Sequence, residues 1–208
     1  MSERIAKKRG VTQDEIKAEW KELARLGKER GNWYHAIREK EEELDAHILH
    51  KHEVIDNHKA GFDLYNLTPG VYPELMLHFP EYGIAGTSDR VEIFEDKTFD
   101  LSDYKTDKSL DFESFKVFNR SKNRREPKMM FEPVSHLEDC NGIHYSLQLS
   151  LYAYILEQRG YTLKSMWLEH AVFEDEKLVK VVRLPIKYLK KEAEDICKDF
   201  AVKQFLQI

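Results

Sequence analysis

Three charged residues in strand-like sequence carry the most chemical information in this chain. Asp89 follows Gly86-Thr87-Ser88, and fourteen residues later comes Asp103, with Lys105 at i+2. In an extended strand, side chains at i and i+2 leave the same face, so Asp103 and Lys105 emerge together. Aspartate is depleted in strands, and a charge in a central strand is costly unless it is paired or coordinates a cation. Two carboxylates on neighbouring antiparallel strands make an oxygen site suited to a hard dication such as Mg²⁺ or Mn²⁺. A lysine beside that ion can orient a water and offset charge developing on a phosphate. A structural ion pair, with Asp103 or Asp89 neutralised by Lys105 or Arg90, satisfies the same pattern. On spacing alone both readings stand.

The elements that must hold these residues are legible from periodicity and punctuation. Val71–His78, Gly83–Phe94 and Thr98–Lys105 read as strands, and the short link Glu95-Asp96-Lys97 makes the last two an antiparallel hairpin. Upstream, Thr12 and Glu15 form a capping-box pattern that starts a helix with Ile16, Trp20 and Leu23 at helical spacing. A break near Gly31 separates it from a second helix, Trp33 to His58, whose segment Glu39–Asp45 is a solvated acidic face. Downstream, a helix from Gly142 to Arg159 is apolar on more than one face and must be buried. A hairpin, Leu163–Phe173 and Leu178–Leu184, follows. A last helix then starts near Pro185 and packs through Leu189, Ala193, Ile196 and Phe200.

On the buried helix, His144, Gln148 and Tyr152 follow one another at single-turn spacing. A buried amide needs partners. This stripe either faces the strand carboxylates and a substrate or is a satisfied core glutamine beside a tyrosine with a wet tip.

The 208 residues suit one domain, 1–208, with 1–10 as a flexible arm and 107–139 as a basic insertion. Hydrophobic residues make up 41%, enough for a sizeable core, and the net charge of −5 excludes a uniformly basic coat. A nucleic acid must therefore meet a local patch or metal ions. One such patch exists: Lys116, Arg120, Lys122, Arg124, Arg125 and Lys128 stand against the single acid Glu126, among Phe115, Phe118 and Phe131. Basic side chains near aromatics suit phosphate contact with base stacking. Two cysteines, Cys140 and Cys197, cannot hold an iron–sulfur cluster or a four-thiolate zinc site. No apolar leader or membrane span is evident, so a cytoplasmic protein without a membrane partner is expected.

Taken together, Gly86-Thr87-Ser88-Asp89, Asp103-Tyr104-Lys105-Thr106 and Gln148-Leu149-Ser150-Leu151-Tyr152 resemble the PD-(D/E)XK nuclease superfamily, in particular its RecB-like branch. Gly31-Asn32-Trp33-Tyr34-His35 is similar to that branch's earlier Gly-x-x-x-His motif. The resemblance implies a mixed α/β fold with a restriction-endonuclease-like αβββαβ core, flanked by extra N- and C-terminal helices. It also implies a metal-dependent DNA nuclease, an exonuclease of the free-standing phage type, active in replication, recombination or repair in the host cytoplasm. One or two Mg²⁺ or Mn²⁺ ions would lie on His35, Asp89, Asp103 and the Tyr104 carbonyl, with Lys105 positioning water. Gln148 and Tyr152, with Arg120, Lys122, Arg124 and Arg125, would hold single-stranded DNA or duplex ends. Glu39, Glu74 and His144 are subsidiary candidates; for Glu74 an exposed strand glutamate is the stronger reading. The four-cysteine set of the iron–sulfur relatives is missing, as is any helicase motor. End selection then falls to an oligomer, a partner or a narrow channel. A catalytically silent DNA-binding module and a structure-specific endonuclease are the competing functions.

Overall fold

A computed structural model describes residues 1–49, 53–55 and 63–206, with side chains omitted at 46–49 and 204–206. Twelve elements follow in order: α1 (Ser2–Arg9), α2 (Gln13–Leu49), β1 (Gly70–Phe79), a 3-10 turn (Pro80–Tyr82), β2 (Ile84–Ile93), β3 (Thr98–Lys105), β4 (Lys116–Asn119), β5 (Arg124–Pro127), α3 (Asn141–Glu157), β6 (Thr162–Glu174), β7 (Lys177–Pro185) and α4 (Lys190–Leu206). The fold is mixed α/β. Five strands form one sheet in the order β1-β2-β3-β6-β7, and β4-β5 form a separate ribbon. Within this sheet β3 and β6 pair in parallel, and α3 provides the crossover between them. With the β4–β5 ribbon inserted between β3 and α3, the elements α2-β1-β2-β3-α3-β6 follow the expected αβββαβ order.

Local chemistry explains the joints. Glu15 accepts the Thr12 N–H at 2.7 Å while Thr12 Oγ1 accepts the Glu15 N–H at 3.2 Å, closing the capping box. Asp96 accepts the Thr98 N–H at 3.0 Å in the β2–β3 turn, where Lys97 takes a φ of 59°. The core lies between the sheet and helices α3 and α4, with Leu75, Leu77, Val91, Phe99 and Leu101 meeting Leu149, Ala153 and Leu156.

Several expectations need correction. Residues 1–10 are not a loose arm. Ser2–Arg9 is helical, Ala6 is buried, and Arg9 pairs with Glu19 at 2.8 Å, so α1 folds back along α2. No break occurs at Gly31: α2 is continuous through it, since the cost of one helical glycine is small beside the packing of Tyr34 and Ile16 on either side. Trp20 and Leu23 are exposed, because α1 covers only the Ile16 face. The C-terminal helix starts at Lys190, since Pro185 is the last residue of β7; Cys197 takes the buried place and Phe200 is half exposed. The helical stretch expected toward His58 lies partly outside the described residues.

Candidate functional site

The site forms where β2 and β3 part. Their ladder ends at Arg90↔Ser102. One step beyond, Asp89 Oδ2 accepts the Tyr104 N–H at 2.5 Å, so a side chain replaces the missing backbone acceptor. By the same register Asp89 falls opposite Asp103. On the other side, Pro73↔Arg90 and Leu75↔Ser88 flank Glu74, which falls opposite Asp89. Three carboxylates therefore make one row across β1, β2 and β3.

Glu74 owes its place to a backbone irregularity. Tyr72 and Leu75, three residues apart, both lie in the main core, so the alternation slips by one residue between them. Glu74 absorbs the slip at a φ of 49°, a left-handed conformation costly for a non-glycine residue. The sequence reading made Glu74 an exposed strand glutamate; its side chain is partly exposed and lies beside His35.

From α2, His35 reaches the row. Its Nδ1 stands 3.5 Å from Glu74 Oε1 and 3.6 Å from Asp89 Oδ1, while Nε2 faces the Tyr104 carbonyl at 3.2 Å. With Nε2–H donating to that carbonyl, Nδ1 faces the carboxylates, where it shares a proton with Glu74 and would present its lone pair to a cation once that proton leaves. Donor atoms of His35, Glu74 and Asp89 all lie within 4.8 Å of one another. Glu39, one turn on from His35, borders the same concavity of about 460 Å³, which opens beside Lys28, Asn32 and Glu74.

Charge is crowded here. Burial first, and then the Asp103 carboxylate, push Asp89 up to about 7. Burial likewise raises Asp103, although Lys105 opposes it through a direct ion pair. The hydrogen bond to Glu74 raises His35. One imidazole nitrogen and carboxylate oxygens, set close in a site where burial disfavours their charge, suit a divalent cation that would neutralise them. The donor set fits the ion.

Lys105 is held from two sides. Its Nζ pairs with Asp103 and lies 4.4 Å from the centre of the Tyr145 ring on α3. Tyr145 in turn donates to Asp107 Oδ2 at 2.6 Å, and the Asp107 carbonyl meets His170 Nε2 at 2.8 Å. The sequence reading missed Tyr145, although its place one turn before Gln148 and Leu149 on a buried helix was a usable signal. Gln148 Nε2 donates to the Tyr152 hydroxyl at 3.1 Å. That ring lies against Gly86, where an added Cβ would stand 2.6 Å from the hydroxyl oxygen.

Other candidates stand elsewhere. His144 is exposed and paired with Asp139 at 2.8 Å, so it leaves the Gln148–Tyr152 stripe for the solvent. The basic residues lie on the β4–β5 ribbon: Lys122 and Arg124 share Glu126, and Lys128 pairs with Asp139 at 2.5 Å. Arg120 and Arg125 are exposed, as are Phe115, Phe118 and Phe131. Among the described residues no helix is long and apolar enough to cross a membrane.

No family model matches this chain, and no curated protein matches it. Among solved structures it is similar to a "putative exonuclease" from Eubacterium rectale, at 10% identity and a TM-score of 0.35. That likeness covers 64% of this chain and 42% of the other. A likeness of this size assigns no role to a residue.

Proposed function

We propose that this chain is a divalent-metal-dependent DNA nuclease of the PD-(D/E)XK, RecB-like kind, acting as an exonuclease in phage-type replication, recombination or repair. One observation carries the reading: His35, Glu74 and Asp89 meet beside the Asp103–Lys105 pair, from one helix and three strands. His35, Glu74, Asp89 and Asp103 would hold Mg²⁺ or Mn²⁺, one or two ions, which when bound polarise a phosphate and lower the pKa of a coordinated water. The Tyr104 carbonyl fixes the imidazole by accepting from Nε2, or adds an oxygen to the ligand set. Lys105, steadied by the Tyr145 ring, would orient the attacking water and meet the charge that develops on the phosphate. Gln148 and Tyr152 would brace the bound strand at Gly86, and the β4–β5 ribbon would grip DNA through Arg120, Lys122, Arg124 and Arg125. The exonuclease assignment rests on the resemblance, in which a histidine of this type accompanies the RecB-like branch.

The test is digestion of labelled linear single strands, linear duplex and closed circular DNA with Mg²⁺, Mn²⁺ or EDTA. Linear DNA should shorten from its ends with either metal and survive in EDTA, and circles should survive throughout. Intact linear DNA under both metals would overturn the reading, and cut circles would shift it to an endonuclease.

A further inference from the structure

The basic ribbon is not the only cationic surface of the chain. Helix α2 runs 37 residues, and His35 lies beyond its middle. Lys28, Gly31, Asn32, His35 and Glu39 border one concavity, which fixes the face of α2 turned to the site. Continued toward the N-terminus at 3.6 residues per turn, that face carries Ala24, Lys21 and Lys17, with Trp20 at its edge. All four are exposed. Lys21 and Lys28 have no carboxylate partner among the described residues, and Lys17 has only an exposed contact with Asp14 at 3.6 Å.

Glu15, Glu19 and Glu22 fall on the far side of the helix and Glu29 on the flank of the stripe, where Glu22 and Glu29 neutralise Arg25. Between Asp14 and Glu39 the site-facing stripe thus bears lysines and no acid, within a chain whose net charge is −5. The stripe from Lys17 to His35 is about 27 Å long at 1.5 Å per residue.

We infer that this face of α2 is a track for single-stranded DNA, along which one sugar–phosphate backbone runs past Lys17, Lys21 and Lys28 into the acidic row. The inference rests on the nuclease reading of that row and names how its substrate arrives. A single file of lysines on one helix matches one phosphate backbone, and the exposed Trp20 ring offers a stacking surface for a base. Asn32, exposed between Lys28 and His35, donates hydrogen bonds without adding charge where the carboxylates begin.

The experiment measures equilibrium binding of a fluorescent 20-nucleotide oligothymidylate by anisotropy in EDTA, over a range of salt, so that cleavage plays no part. The full-length triple variant K17A/K21A/K28A should lower the slope of log affinity against log salt by about 2 and weaken binding about 100-fold at 0.1 M salt. A second triple variant, K177A/K180A/K187A, makes the same charge change on exposed lysines elsewhere and should bind nearly as the wild type does. Equal losses in the two variants, or none in the first, would overturn the track, as would wild-type protein that fails to bind the oligonucleotide. Tighter binding of a matched duplex with the same losses would overturn the single-strand assignment. Wild-type protein that binds as expected but cleaves nothing with Mg²⁺ or Mn²⁺ leaves the track standing and removes the nuclease reading instead.

Discussion

His35 Nδ1 stands 3.6 Å from Asp89 Oδ1, although the two residues lie on different elements and 54 positions apart in the chain. The Tyr104 backbone brings them together. Its N–H binds Asp89 and its carbonyl faces His35, so one peptide segment of β3 orients both side chains.

This arrangement ties stability to pH. Asp89 is raised to about 7 from the ordinary value near 3.8, so the folded protein binds a proton that the unfolded chain releases. Stability from this group is full below pH 3.8 and is lost as pH rises toward and through 7. His35, raised by its hydrogen bond to Glu74, acts with the same sign, its contribution fading as pH passes its folded value. Without metal, the melting temperature should therefore fall between pH 5.5 and 8, and Asp89→Asn should flatten that fall. Added Mg²⁺ or Mn²⁺ should raise the melting temperature more at pH 8 than at pH 5.5, since protons and the cation compete for the same groups. Scanning fluorimetry with EDTA and with metal checks each part.

Lys105 is predicted to serve both the fold and the chemistry. Removing it as Lys105→Ala leaves Asp103 buried without its partner and should cost about 3 kcal/mol in urea unfolding without metal. The double variant Asp103→Asn with Lys105→Met removes both charges and should regain most of that loss. Cleavage should fall about 10²–10³-fold or more in either variant. A double variant that recovers stability and remains inactive separates the two roles.

Gly86 marks how closely α3 approaches the row. A Cβ there would stand 2.6 Å from the Tyr152 hydroxyl oxygen and 2.8 Å from Cε1. Gly86→Ala should destabilise the protein by about 1–3 kcal/mol. Adding Tyr152→Phe removes the nearest atom and should recover part of the loss, read from denaturant midpoints.

The ribbon is expected to act on binding alone. Arg120→Ala with Arg125→Ala should raise KM for DNA about tenfold at moderate salt, leave kcat unchanged, and lower the salt slope by about 1.4. A fall in kcat with KM unchanged would contradict a purely binding role.

The hairpin and its charges were legible because aspartate in a strand violates composition rules, which made Asp89 and Asp103 conspicuous. The buried α3 and the strand limits were legible for the complementary reason, a dense apolar run between glycines. Glu74 was not, because its direction depends on a φ of 49° that no pattern of residue types announces. The continuity of α2 was hidden by Gly31, whose site needs no glycine, since an added Cβ would make only ordinary contact with Thr106 Oγ1 at 3.6 Å. His144 was misplaced by helical spacing, since a partner outside the helix, Asp139, draws its ring into solvent. Lys17, Lys21 and Lys28 all precede Gly31, and the supposed break there separated them from His35, so their shared face with the site was not apparent.

The most direct test of the account is a crystal structure of the protein grown with Mn²⁺ and recorded at the manganese absorption edge. An anomalous peak bounded by His35 Nδ1, Glu74 and Asp89, with Asp103 turned toward it and away from Lys105, is the predicted result. An ordered row without a peak, with Asp103 still paired to Lys105 and Nδ1 donating to Glu74, would contradict it.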